Sequence, residues 1–339
     1  MRLLAALLLL LAGCERPLPE GVTELTYASP YPPGHPFSRA DQRWIDYVEQ
    51  ASGGTLMIRP IWSGALLSAD MSMEEIRHGV ADVGLITPIY ARGGAHLLRT
   101  QTGFYSGVDT QEAQLEFYRC MVAQVPQFAR ELEGLKVLAV QGGVLPGILV
   151  RGREVNSLAD LDGLRIRAPS ELLPVLHSFG ADPVDMPMGE VYSALAKGVI
   201  DGVVASRDTL RSMHFAEVTD HFFELQIARG AYPARAIDQD VFDALSPQHQ
   251  AVIDESIAVW NDAIMAENLA AAEAGSDAGE GVITVSRPSA GDQAEFDAVY
   301  LRLAEQRANA LSRFGIDGTE AFRIARDSLV ARNQVECGV

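Results

Sequence analysis

Ser157-Leu158-Ala159-Asp160-Leu161-Asp162-Gly163-Leu164-Arg165-Ile166-Arg167 is followed at once by Ala168-Pro169. The spacing predicts a strand over Leu164–Arg167 that stops short of Pro169, with Arg167 at its carboxyl end and Arg165 deeper on the same face. Strand and helix signals alternate outward from this point. Ile148–Arg151 precedes it as a strand; helices are expected to begin near Ser170 and Gly189, with strands at Val184–Met186 and Val199–Ala205. Upstream, strands are expected at Thr23–Ala28, Thr55–Ile61, Val83–Ile86 and Leu135–Val140. Between them fall a helix capped by Ser38, another at Met71–His78, and a long one from Thr110 to Leu132. Downstream, Phe222–Ile227 and Ala234–Ile237 read as strands crossing back, and Ser246-Pro247 opens a long Ala- and Glu-rich helix ending about Gly275. A strand at Val282–Val285 and two helices close the chain.

The fold class is therefore α/β. The half-patterns Thr23–Val140 and Ile148–Ala205 each read as an open sheet, which holds ligands at the carboxyl ends of its strands. Two such sheets joined by crossover strands make a cleft that closes by hinge motion.

The chain has 339 residues, room for two lobes, and 48% apolar residues, ample for a core. Its formal net charge of −18 argues against a nucleic-acid partner, which needs a clustered basic surface. Arg2, the apolar run Leu3–Ala12 and Gly13-Cys14 are too short to cross a bilayer, where a helix needs about 20 residues, and read as a secretory signal. Leu11-Ala12-Gly13-Cys14 resembles the bacterial lipobox, whose cysteine is lipidated and becomes the mature N-terminus.

Cys120 and Cys337 either pair in an oxidising compartment, tying the tail to a helix, or remain separate thiols. No zinc spacing accompanies them. GxSxG, HExxH, GxGxxG, P-loop and calcium-loop patterns are all absent from the sequence, so nothing here nominates a catalyst.

The stretch 157–167 resembles the "DLKGLKIR" segment of the DctP-type solute-binding proteins of TRAP transporters. Gly180-Ala181-Asp182-Pro183-Val184, Glu190-Val191-Tyr192-Ser193-Ala194-Leu195 and Lys197-Gly198-Val199-Ile200-Asp201-Gly202 resemble further segments of that family in the same order. Glu75–Gly84 and Leu245–Gln250 extend the likeness in both directions. The resemblance implies a two-lobed periplasmic-binding-protein clamshell with crossover strands and a long helix spanning both lobes. Residues 1–13 are then a lipoprotein signal peptide and 14–22 a tether. Residues 23–144 plus 233–275 form the first lobe, and 145–232 plus 276–339 the second.

It further implies that Arg167 clamps a ligand carboxylate. A planar guanidinium fork suits that task, matching two oxygens and staying charged in a cleft. Ser29, Thr87, Met188, Ser206 and Tyr232 are the other expected ligand-facing positions, with Tyr90 and Trp62 as candidate wall aromatics. Arg207 and Arg235 each read either as a second cation or as a solvated surface charge. Where sialic-acid-type relatives carry a second arginine, this chain has Leu145-Pro146-Gly147-Ile148, and where they carry Asn it has Val203–Ser206, which points to a less polar pocket.

The expected function is capture of a small organic acid outside the cytoplasm and delivery to an ion-gradient-driven TRAP permease. The protein would be periplasmic and lipid-anchored through Cys14, with no cofactor, no metal and no chemistry on the ligand. A ligand-sensing receptor module and an extracytoplasmic enzyme are the alternatives from other classes.

Overall fold

The computed structural model describes residues 18–338. The signal-peptide reading and Cys14 lie outside the described residues. Among those described, no helix is long and apolar enough to cross a membrane.

The first sheet takes β1 (Thr23–Ala28), β2 (Leu56–Ile61), β3 (Val83–Leu85) and β4 (Leu135–Gln141). The second takes β5 (Gly147–Val150), β6 (Arg165–Arg167), β7 (Asp182–Val184), β8 (Gly202–Ala205) and β9 (His221–Phe223). The chain then returns: β10 (Tyr232–Asp238) inserts between β3 and β4, and β11 (Thr284–Ser286) joins the edge beside β9. A small hairpin, β12 (Leu329–Ala331) and β13 (Gln334–Val335), lies near the C-terminus. In each large sheet the strand arriving from the other lobe runs against its neighbours. β10 is antiparallel to β3 and β4, and β5 is antiparallel to β8 and β9. All other pairings in these sheets are parallel.

Both sheets are covered on both faces, as parallel strands require. On one face of the first sheet Trp44, Ile45 and Val48 of the helix Pro36–Ala51 meet Trp260 and Ile264 of the long helix Pro247–Gly279. Phe104, Phe117, Met121 and Phe128 fill the other face. The second sheet lies between a cluster around Leu161, Leu176 and Phe296 and one around Val191, Leu195 and Phe222. The long helix packs on the first lobe and also on the short second-lobe helix Thr209–Ser212, so it spans both. The two-lobed clamshell with crossover strands is present.

Four departures from the expected elements have local causes. Pro126 breaks the helix expected over Thr110–Leu132 into Gln111–Gln124 and Gln127–Glu131, with Val125 extended before the proline. The strand expected at Val184–Met186 is β7, two residues earlier, and its Pro183 is tolerated because β7 is a sheet edge. The long helix passes through Gly275 to Gly279. Gly275 is a contact rather than a stop: a Cβ there would lie 2.1 Å from the Arg207 carbonyl oxygen.

The fourth departure concerns lobe boundaries. The sequence places residues 276–339 in the second lobe, yet the helix Gly318–Asp327 packs on Gln111–Gln124 of the first. Its Ala321 and Ala325 enter the cluster of Phe104 and Phe117. The helix Ala290–Asn309 carries the chain back, touching both lobes. Cys120 and Cys337 are bonded, with Cα atoms 5.1 Å apart, and fasten the tail to the same first-lobe helix.

Arg235 is fully buried, which removes the surface-charge reading. Its Nε donates to Asp41 Oδ1 at 2.9 Å and its Nη1 to Gln141 Oε1 at 2.7 Å. Asp41 also accepts from Trp260 Nε1 at 2.9 Å and the Tyr27 hydroxyl at 2.5 Å. This network ties β1, β10 and both covering helices together inside the first lobe; the second cation serves structure.

Candidate functional site

The parallel strands of the two sheets point their carboxyl ends at one another across the cleft. β1 delivers Tyr31, His35 and Phe37; β3 delivers Ile89 and Tyr90. From the second lobe β6 delivers Arg167 and Glu171, and β8 leads into Ser206, Asp208 and Met213. The crossover segment before β10 adds Arg229, Gly230 and Tyr232. These residues enclose a cavity of about 160 Å³. An engineered apolar cavity of about 150 Å³ admits benzene, so the space suits one ring with small substituents. Beside it, sharing Tyr31, Tyr90 and Met188 as walls, is an outer cleft of about 580 Å³ bounded also by Thr87 and Tyr192.

Arg167 is 1% exposed and sits at the β6 end. Its Nε donates to the Met186 carbonyl at 2.9 Å and its Nη2 to the Tyr90 hydroxyl at 2.7 Å. Among the described residues no carboxylate forms an ion pair with it. A buried guanidinium held only by neutral acceptors is costly, and an entering anion relieves that cost. Arg165, by contrast, pairs with Asp182 at 2.8 Å on the surface.

The first-lobe wall is aromatic. Tyr31 stacks on His35 with ring centroids 4.1 Å apart, and His35 meets Phe37 edge-on at 4.9 Å. Burial pushes His35 down to about 3, helped by the positive charges of Arg235 and Arg39, so its imidazole is neutral. Burial raises the Tyr90 hydroxyl, against the pull of Arg167; the phenol stays protonated.

Two acids also line the cavity. Burial pushes Glu171 up to about 7, partly offset by its own backbone N–H, Arg307 and Arg167. Burial likewise raises Asp208, which accepts hydrogen bonds from Ser206 and Ser212 and feels Arg229.

The expected site residues divide. Arg167, Ser206 and Tyr232 line the cavity, Met188 lines both cavity and outer cleft, and Tyr90 bonds Arg167 directly. Thr87 stands only at the outer cleft, its hydroxyl donating to the Ala69 carbonyl. Ser29 and Arg207 lie outside the cavity. Ser29 Oγ accepts from Tyr31 N at 3.3 Å and shapes the turn after β1. Arg207 faces a separate groove and pairs with Glu224 at 2.7 Å. Trp62 packs edge-on against Tyr27 in the first-lobe core. Sequence reasoning missed Tyr31, His35 and Phe37, although the Pro-rich turn after β1 interleaves these rings. It also missed Glu171, Asp208 and Arg229.

Among the described residues, the one cluster of metal-type ligands is Glu116 with Cys120 and Cys337, whose sulfurs are bonded to each other.

The family model of DctP, bacterial extracellular solute-binding protein, family 7, matches residues 27–306. Curated relatives match over about a quarter to two thirds of their own length. A solute-binding protein of Albidiferax ferrireducens is 25% identical over 176 residues, 50% of each chain. The 2,3-diketo-L-gulonate-binding periplasmic protein YiaO of Escherichia coli is 26% identical over 237 residues, 64% of this chain and 66% of that one. Among solved structures, a marine metagenome TRAP solute-binding protein specific for aromatic acid ligands, from an unidentified microbe, is 25% identical. It superposes with a TM-score of 0.79 over 90% of this chain and 98% of its own. With its fold, its crossover strands and most of its length accounted for, the chain belongs to the DctP family of TRAP-type extracellular solute-binding proteins.

Proposed function

We propose that this protein captures a compact monocarboxylate, aromatic by preference, outside the cytoplasm and presents it to a TRAP membrane permease. The observation that carries this reading is Arg167: a buried guanidinium, without a carboxylate partner among the described residues, on the wall of a cavity the size of one ring. Tyr31, Phe37, Tyr90 and Tyr232 supply faces for an aromatic or apolar body, and no second unpaired arginine clamp like that for a sugar acid stands at 145–148. The solved relative specific for aromatic acids supports the same class. Ligand bridging the lobes stabilises the closed form by its differential affinity for it.

Lipid anchoring at Cys14 rests on the start of the sequence, Arg2, Leu3–Ala12 and the lipobox-like Leu11-Ala12-Gly13-Cys14. The Cys120–Cys337 bond supports an oxidising compartment.

The test is a thermal-shift screen of the purified mature chain with benzoate, 3-hydroxybenzoate, mandelate, pyruvate, succinate and galacturonate, since a ligand of the folded state raises its stability by mass action. The aromatic monocarboxylates should give the largest shifts, and Arg167→Ala should abolish them. A shift confined to sugar acids, or one surviving in Arg167→Ala, overturns the reading.

A further inference from the structure

Glu171 lies in the link between β6 and the helix Leu173–His177, four residues beyond Arg167. It is 7% exposed and forms the partition between two spaces. In front is the ligand cavity; behind is a basic pocket of about 390 Å³ bounded by His96, Arg99, Arg307 and Arg313. Asp208, the other cavity acid, is held by two serine hydroxyls. No side chain among the described residues bonds to the Glu171 carboxyl.

The groups around it are mixed in sign. Arg167 acts from β6 and Arg307 from the helix Ala290–Asn309, both favouring the carboxylate, while Asp185 after β7 opposes it. Tyr300 of the same helix feels the Glu171 charge, and its hydroxyl is buried with no hydrogen-bond partner among the described residues. His96 and Arg99 face the rear pocket, where Arg307 Nη1 is engaged by the Ser170 carbonyl at 2.9 Å.

Where both acids are ionised, above about pH 7, Glu171 and Asp208 balance Arg167 and Arg229 and the cavity lining carries no net charge. A docked carboxylate leaves one negative charge in excess in a small desolvated space, and like charges there favour protonation of the least supported acid.

Building on the carboxylate reading above, we infer that Glu171 takes up a proton from solvent when a ligand carboxylate docks on Arg167, and so admits monoanions while rejecting dianions. A dianion brings a second negative charge, and the remaining acid, Asp208, is already engaged by Ser206 and Ser212. Burial holds Glu171 at about 7, so the proton is available near neutrality. Once protonated, the carboxyl has an O–H to donate to a polar substituent of the ligand.

The test is titration calorimetry of 3-hydroxybenzoate and phthalate on the full mature chain and on Glu171→Gln, at about pH 6 and about pH 8.5. For the wild type, affinity for 3-hydroxybenzoate should weaken with rising pH, by up to about tenfold per unit. Heats in buffers of different ionisation enthalpy should report proton uptake. Glu171→Gln, uncharged like the protonated acid, should show neither the slope nor the uptake, and should keep the preference for 3-hydroxybenzoate over phthalate. A variant that keeps the wild-type slope overturns the inference.

If neither acid binds the wild type, the carboxylate reading fails, and unfolding of the unliganded proteins decides the role of Glu171. Its folded value lies above the unfolded value of about 4.5, so ionisation destabilises the fold above about pH 7 and costs nothing below 4.5. Glu171→Gln should therefore be more stable than wild type at pH 8.5 and not at pH 4.5. An equal difference at both overturns the inference.

Discussion

Arg167 Nη2 on the second lobe donates to the Tyr90 hydroxyl on the first across 2.7 Å. The group expected to hold the ligand is thus also a lobe-to-lobe bond, and closure and binding share one side chain. The guanidinium lies 5.9 Å from the Tyr90 ring centroid, so the two are also in cation–π range.

Tyr90→Phe removes the hydroxyl and keeps the ring. A hydrogen bond to a charged group contributes about 1.5–3 kcal/mol, so the unliganded variant should shift toward the open form by that amount. Small-angle scattering should show a larger radius of gyration for unliganded Tyr90→Phe than for wild type. Saturating aromatic acid should restore the closed value.

Replacing Arg167 separates charge from shape. Arg167→Ala should cost about 2–5 kcal/mol of carboxylate affinity, and Arg167→Lys a smaller share, because an ammonium keeps the charge and loses the fork. Calorimetry on both variants, with circular dichroism to confirm the fold, reads the difference. Equal losses would mean that the planar fork is not used.

His35 makes the fold acid-sensitive. It titrates near 6.5 when unfolded and near 3 when folded, so below 6.5 the unfolded chain binds a proton the folded chain refuses. Stability should fall as pH drops from 6.5 toward 3, by at most about 1.4 kcal/mol per unit from this group. His35→Asn keeps an acceptor for the Phe37 N–H at the helix cap. Urea midpoints at pH 7 and pH 5 should differ less in the variant than in wild type.

The Cys120–Cys337 bond joins residues 217 apart in sequence. Replacing both by Ser should lower unfolding stability by about 2–4 kcal/mol, read as a drop in urea midpoint. The bond belongs to the first-lobe surface and not to the cavity lining, so acid affinity should persist.

Much of this architecture is legible along the chain. β6 and Arg167 are readable because a short strand ends against Pro169, and family segments recur in order through Gly202. Arg235 was not readable: its partners Asp41 and Gln141 lie 194 and 94 residues away, and only packing shows that the three meet. Gly275 shows the same limit. In a sequence a glycine after an Ala-rich run signals a helix end, whereas here the long helix needs it to let a second-lobe carbonyl approach. Glu171 is not readable because the groups whose charges it feels or acts on, Arg307 and Tyr300, lie more than 120 positions away. Ser29 illustrates the reverse: it follows β1 as expected, yet its hydroxyl accepts from the Tyr31 backbone N–H instead of facing the cleft.

The shared helices have a consequence for how the protein comes apart. Pro247–Gly279 is wedged against Pro36–Ala51 on one side and Thr209–Ser212 on the other, while Ala290–Asn309 is packed on both lobes as well. Neither half owns a complete hydrophobic core once these helices leave, and β10 and β5 are each supplied by chain arriving from the opposite half. Melting one lobe strips a wall from the other. Despite its two-part shape, the molecule should lose structure in a single cooperative transition, with calorimetric and van't Hoff enthalpies in agreement.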